Sequence, residues 1–240
     1  MKLKEYRQKR HFGVSPEPSG EGTENAPKRK DASLIYVIQK HRASHLHYDF
    51  RLEWNGTLLS WAVPKGPSLD PSVKRLAMKV EDHPIEYSTF EGVIPKSEYG
   101  GGTVMVWDSG MWVPDDEDVD ASLRRGDLKF TLLGKKLRGS WVLVRTRGYG
   151  SNSDRSWLLI KHRDKYASTE DMTAKEPRSA ASNRLLAEIA RDEGGDEAQA
   201  ATGDPVQKAA KQAPPKKTLP KKSQGKKATA PARRVRIQKS

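Results

Sequence analysis

The chain contains no cysteine. Disulfides and thiolate metal sites are therefore excluded, and the absence fits a reducing compartment. Long apolar runs are missing too. Leu58 to Val63 is among the longest, and it is far too short to span a bilayer. Met1 to Arg10 is charged, with no apolar stretch behind it, so no secretory signal is expected. Hydrophobic residues make up only 35% of the 240, which points to one compact core with polar extensions. A Walker-type phosphate loop, a dinucleotide glycine fingerprint, a Gly-x-Ser-x-Gly elbow and a Lys-x-Asp-Gly motif are all absent. The chain is not expected to seal nucleic acid strands itself. These absences predict a soluble, cytoplasmic protein without a membrane partner.

Acidic residues are missing from one end. Residues 205–240 hold twelve of the 44 Lys and Arg and no Asp or Glu, leaving 32 basic against 31 acidic residues in the remainder. The body is nearly neutral, and the tail carries almost all of the net charge of +13. Its Lys-Ala-Pro composition cannot bury a core, so a disordered tail is expected. Such a tail binds polyanions by counterion release, without reading sequence. Residues 1–33 are polar, basic and rich in Pro and Gly, and read as a flexible N-terminal segment.

Between these ends the pattern is of strands. Leu34 to Gln39 is a short β-rich run, and His45 to Trp54 alternates strictly. Asn55-Gly56 is a two-residue hairpin signal, and Thr57 to Val63 is the returning strand. Further strands are expected at 75–80, 103–107, 128–133, 141–145 and 157–161, with a short helix between Asp115 and Arg125 stopped by Gly126. About eight strands with little helix predict a mainly β fold, a small closed or partly closed barrel over residues 34–172. Residues 173–204 read as a linker, with an isolated helix from Asn183 to Arg191. The tryptophans fall mostly at core-facing strand positions.

The alternating strand carries the chemistry. Leu46, Tyr48, Phe50, Leu52 and Trp54 form one face, and His45, His47, Asp49, Arg51 and Glu53 the other. A half-buried strand does not need two imidazoles, two carboxylates and a guanidinium on one side merely to fold. If that face lines a barrel cavity, His47 and Asp49 stand side by side, and His41 can complete a His-His-Asp set. That is the ligand set of a catalytic divalent metal, with donors suiting Mn²⁺ or Zn²⁺ better than Mg²⁺. Arg51 offers a planar fork for a phosphate, as does Arg75 if its strand lines the same cavity. A cation and an arginine facing one site suggest phosphoryl chemistry. His83, next to Glu81 and close to Tyr87, reads as a general acid or a phosphate contact, or else as a turn residue before proline. Lys65 reads as a solvated turn lysine, and His11 and His162 as surface residues.

The run His41-Arg42-Ala43-Ser44-His45-Leu46-His47-Tyr48-Asp49-Phe50-Arg51-Leu52-Glu53 and the block Ser60 to Ser68 closely resemble the 3′-phosphoesterase domain of bacterial DNA ligase D. So do Glu81-Asp82-His83-Pro84, Phe90-Glu91-Gly92, Glu98 to Gly102 and Trp157 to Lys161, and the likeness spans residues 5 to 166. With no polymerase or ligase motif in the chain, the resemblance is to a stand-alone form. It implies a β-barrel enzyme that heals DNA 3′ ends in end joining with a divalent cation, preferentially manganese, though Zn²⁺ and Co²⁺ also suit the donors. A 3′-terminal ribonucleotide is trimmed and a 3′-phosphate removed, leaving a ligatable 3′-hydroxyl. Carried over, His41, His47 and Asp49 match the metal ligands and Arg51 the phosphate-binding arginine. His83 matches an active-site histidine, with Tyr87 near it and Glu81 supporting. Lys65 and Arg75 match further active-site positions, and Arg10 and Glu17 match functional positions in the N-terminal segment. Where that family usually has an acidic residue after the arginine, this chain has His11. The implied partners are DNA 3′ ends on a primer-template or duplex, a separate ligase or polymerase, and an end-binding factor, which would place the protein at the nucleoid. The contrasting expectation is a catalytically silent barrel that grips DNA ends and recruits a ligase. An intact His-His-Asp-Arg set argues against it, because a binding module needs no open metal position.

Overall fold

The computed structural model describes residues 3–21, 34–146 and 153–205. The basic tail from residue 206 and the stretch 22–33 lie outside the described residues, and so do the expectations attached to them. Nine strands follow in order: β1 (Leu34–Arg42), β2 (Leu46–Trp54), β3 (Thr57–Val63), β4 (Lys74–Lys79), β5 (Gly92–Ile94), β6 (Gly102–Pro114), β7 (Asp127–Gly134), β8 (Arg138–Arg145) and β9 (Ser156–Lys161). All their pairings are antiparallel. The sheet order β1-β2-β3-β4-β9-β8-β7-β6 closes on itself because β6 also pairs with β1. Eight strands thus make the closed barrel that the alternating runs predict. Closure satisfies strand edges that an open sheet would leave unpaired. The ninth, β5, is a short strand at one end of β6 that no sequence signal predicted. Among the described residues no helix is long and apolar enough to cross a membrane.

Local chemistry explains the corners. Asn55 and Gly56 both have positive φ, 52° and 82°, as the tight turn between β2 and β3 requires. Helix α2 (Val119–Arg125) starts where Asp118 accepts from the Ala121 backbone N–H, and it stops at Gly126 in the left-handed region.

The barrel interior is apolar. Tyr36 and Ile38, then Tyr48, Phe50 and Leu52, Trp61 and Val63, Trp107, Phe130, Trp141 and Trp157 form one buried cluster drawn from around the ring. Phe50 and Phe130 stack with centroids 5.7 Å apart, although β2 and β7 are not neighbours in the sheet. Their contact crosses the lumen. The interior is therefore filled with side chains, and the opposite parity of β1 and β2 points outward. The expectation that the charged face of β2 lines a barrel cavity is thereby corrected. An eight-stranded barrel of this kind is just wide enough for its own side chains.

Both flanking segments also need correction. Residues 3–21 are not a loose extension: α1 (Lys4–Gln8) and the turns after it lie against the outer face, burying Leu3, Tyr6, Arg10, Ser15 and Glu17. Leu3, Tyr6, Val37, Leu58, Tyr87 and Val106 form a second, smaller cluster there. Apolar Leu3, Tyr6 and Phe12 were thinly spread among charges, so average composition concealed the surface they bury together. Residues 173–204 are likewise no linker. They contain α3 (Met172–Lys175, beginning just before), α4 (Leu186–Asp192) and α5 (Glu197–Ala201), and Leu186, Ile189, Ala190 and Ala200 join the main core. Buried Lys40 lies 3.6 Å from Asp204, whose carboxylate also accepts from the backbone N–H groups of Leu186 and Ala187. The expected isolated helix is thus a packed one.

Candidate active site

Sheet register assembles the site. His41 pairs with His47 and Gln39 with Asp49 across β1 and β2, while Arg51 pairs with Ser60 across β2 and β3. Cross-strand partners share a face, so these six side chains converge outside the barrel. One ligand atom from each of His41, His47 and Asp49 lies within 4.8 Å of the others. His41 Nδ1 and His47 Nε2 are each 3.7 Å from Asp49 Oδ2, too long for hydrogen bonds and short enough to share an ion. His47 Nδ1 sits 3.1 Å from the His45 carbonyl oxygen. Donation there fixes the tautomer and leaves the Nε2 lone pair free, as a metal-ligating imidazole requires. His41 Nε2 is buried without a hydrogen-bond partner. His41 Nδ1 and His47 Nε2, both turned toward one Asp49 oxygen without a hydrogen bond to it, fit a divalent cation with nitrogen and oxygen donors. Burial pushes His47 below the ordinary imidazole value despite the nearby Asp49, which favours the neutral, ligating form. Burial alone would raise the Asp49 carboxyl, but Arg51 and the two imidazoles hold it well below the usual carboxylate range.

Arg51 is held on three sides. Its Nε donates to Gln39 Oε1 at 2.8 Å and its Nη1 to Ser60 Oγ at 2.8 Å, and Nη2 lies 3.3 Å from Asp49 Oδ2. Gln39 is fixed in turn by donating to the Tyr87 and Phe90 carbonyls. A guanidinium locked this way has its remaining donors pre-oriented for an anion.

The other half of the site is built on His83. Its backbone pairs with Leu58 at the edge of β3, and its Nδ1 lies 2.9 Å from the Glu81 carbonyl oxygen. Nδ1–H donating there leaves Nε2 as the acceptor for Arg10 Nη2 at 3.2 Å. Burial, then Arg51 and Arg10, push the imidazole well below its ordinary value. His83 is consequently neutral, with Nε2 unprotonated. In this state Nε2 carries no proton, so the expected roles of general acid and of hydrogen-bond donor to a phosphate both require that it first take one up.

Arg10 also donates to Glu17 Oε1 at 2.8 Å and to Glu81 Oε1 at 3.2 Å, and stacks 3.9 Å over the Tyr6 ring. Tyr87 donates to Glu17 Oε1 at 2.9 Å, and its hydroxyl is pushed well above the ordinary value by burial and by Glu17. Ser60 joins the two halves: its Oγ accepts from Arg51 and lies 3.3 Å from His83 Nδ1.

The fold therefore gathers His41, His47, Asp49, Arg51, Glu81, His83, Tyr87, Arg10 and Glu17. It does not gather Lys65 or Arg75 in the same way. Lys65 is exposed in the turn after β3. Arg75 pairs with Leu159 and shares the face of Ala77, which belongs to the interior cluster, and it acts electrostatically on Asp171. His45 is exposed, and His162 bonds Ser140 away from the site. His11 is exposed and lies 3.0 Å from Glu98, outside the buried network. Sequence reasoning missed Gln39, Ser60 and Tyr6. The first two follow from the same period-two frame once the register is known, since Gln39 faces Asp49 and Ser60 faces Arg51. Tyr6 carries no such signal.

Residues 39–145 match the model of the DNA ligase D 3′-phosphoesterase domain. The chain is 50% identical over 188 residues to the multifunctional non-homologous end joining protein LigD of Pseudomonas aeruginosa, covering 77% of this chain and 22% of that protein. To the LigD protein of Mycobacterium tuberculosis it is 44% identical over 147 residues, 61% of this chain and 19% of the relative. To that of Mycolicibacterium smegmatis it is 40% identical over 177 residues, 71% and 22% respectively. The chain thus spans about a fifth of the length of the curated relatives it matches. With the barrel, the converging His-His-Asp set and the matched segment in agreement, the chain carries a DNA ligase D 3′-phosphoesterase-like domain.

Proposed function

We propose that the protein is a metal-dependent phosphoesterase that removes 3′-phosphates, and trims 3′-terminal ribonucleotides, from DNA ends during repair by end joining. The observation that carries this reading is the convergence of His41, His47 and Asp49 beside the locked guanidinium of Arg51. The domain match and the end-joining names of the relatives support the same substrate class. His41, His47 and Asp49 would hold a divalent transition cation, manganese in this proposal, which when bound polarises a phosphoryl oxygen or activates water. Arg51 binds the phosphoryl group and stabilises the equatorial charge of its transfer to water. His83 stands beside the scissile phosphate, oriented by the Glu81 carbonyl and by Arg10. Tyr87 and Glu17 keep both arginines in place. The twelve cations of 205–240 are proposed as a tether that raises the local concentration of DNA.

A 3′-phosphate primer-template incubated with the protein and Mn²⁺, with Mg²⁺, or with a chelator tests the proposal on a gel. Phosphate release with Mn²⁺ and none with the chelator is the expected result. DNA that shifts but is never processed would favour the silent end-binding module instead. Removing 205–240 is expected to flatten the salt dependence of DNA binding while turnover at saturation holds. An unchanged slope would remove the tether from the proposal.

A further inference from the structure

Most of the site is buried, but one aromatic ring on its rim is not. Tyr99 keeps 52% of its surface exposed, whereas Tyr6 and Tyr87 of the site are buried. Its loop is tied to both halves of the site. Gly100 follows it against the His41 ring, where a Cβ would come within 3.6 Å of His41 Cε1. On the other side, Lys9 Nζ lies 5.0 Å and Arg10 Cζ 5.7 Å from the Tyr99 ring centroid. Arg10 is the residue that donates to His83. Tyr99 thus stands where the His41 and His83 halves meet solvent.

The loop is also firmly set. Gly100 has a φ of 79°, a region costly for other residues. A Cβ on Gly101 would fall 2.6 Å from the Pro95 carbonyl oxygen, and one on Gly102 would fall 2.3 Å from that of Arg42. The backbone accepts from Glu98 and Gly101 N–H groups within the turn, and the Glu98 carboxylate accepts from the His11 backbone N–H. A large aromatic ring held out to water on such a loop does nothing for the core. Flanked by two cations that Glu5, Glu17 and Glu81 already pair, it offers an aromatic surface on which a single nucleobase can stack at the rim of the site.

We propose that Tyr99 stacks on the base of the 3′-terminal nucleotide and so positions its phosphate between the His-His-Asp set and Arg51. This rests on the phosphoesterase reading and assigns it a nucleobase subsite. Stacking is tolerant of base identity because every base presents a π face, so the subsite would grip any terminal nucleotide. Tyr99 is a positioning residue and touches no reacting atom.

The test pairs Tyr99→Ala and Tyr99→Phe with two 3′-phosphate primer-templates, one ending in a normal nucleotide and one in an abasic residue. On the normal end, Tyr99→Ala is expected to raise KM roughly tenfold, the scale of one lost base stack, with kcat within about twofold, and Tyr99→Phe is expected to behave as wild type. On the abasic end, wild type should show the same raised KM and Tyr99→Ala no further loss. A Tyr99→Ala defect of equal size on both ends, or none on the normal end, would overturn the subsite. Binding of the same oligonucleotides followed by fluorescence anisotropy reads the stack without turnover. Wild type that discriminates between the two ends in binding yet releases no phosphate would retain the subsite and sink the phosphoesterase reading. Equal binding of both ends by wild type would sink the subsite alone.

Discussion

The two faces of β1 and β2 are made from alternate residues of the same strands, and both are buried. On the inner face Tyr36, Ile38, Tyr48, Phe50 and Leu52 meet apolar residues from across the barrel. On the outer face Gln39 donates to the Tyr87 and Phe90 carbonyls and Arg51 lies over the Tyr87 ring, while residues 3–21 reach the same cover through Arg10 and His83. The inner face gains stability from packing. The outer face buries charge at a cost, and offsets it with the pairs Arg10–Glu17 and Arg51–Asp49. At the His41–His47–Asp49 corner the two ring nitrogens that face Asp49 make no hydrogen bond to it. That unmet corner, rather than burial or charge as such, separates a site from a core.

The sharpest way to break this comparison is to exchange one residue on each face. His47→Ala should lower 3′-phosphate release by roughly three orders of magnitude, since a Lewis-acid cation supplies several kcal/mol to the transition state. Stability should move by about 1 kcal/mol or less, because its side chain is on the rim at 23% exposure. Phe50→Ala should do the reverse, costing about 3–5 kcal/mol in chemical denaturation with turnover per folded molecule preserved. If His47→Ala kept wild-type rates with Mn²⁺ supplied, the metal corner would be misassigned.

A smaller effect tests the cover. Glu17→Gln leaves the Arg10 guanidinium buried with Glu81 as its remaining carboxylate. A loss of about 3 kcal/mol is expected, at the low end for a broken buried pair, with faster proteolytic cleavage within residues 3–21. Unchanged stability and cleavage would mean that the cover does not depend on this pair.

The smallest effect is a pH slope. The His83 imidazole is pushed well below its ordinary value of 6.5, so below that pH the unfolded chain binds a proton that the folded chain refuses. Its contribution to stability is full above about 6.5 and is lost as the pH falls below it, with a slope of at most about 1.4 kcal/mol per pH unit. Denaturation of His83→Gln across pH 5 to 7 should show a flatter dependence than wild type. Identical slopes would contradict a neutral, buried His83.

Much of this was legible beforehand because period-two alternation is a local property. The strand from 46 to 54, the Asn55-Gly56 turn and the helix stop at Gly126 each follow from a few adjacent residues. The convergence of His41, His47 and Asp49 was legible for the same reason: His47 and Asp49 share a face by spacing, and His41 is only a hairpin away. Tyr6, Gln39 and Ser60 were not, since their roles depend on which strand lies opposite or which segment folds back. Which way Arg75 faces was not legible either, since it depends on the parity of β4, which puts it on the side of Ala77.

By itself the sequence determined that β2 has one apolar and one chargeable side, that no thiol takes part, and that the cations concentrate at residues 205–240. Only the tertiary structure decided which side became the inside. An eight-stranded ring closes tightly enough that aromatic side chains fill it, so the chargeable side had to face out and find its cover in residues 3–21.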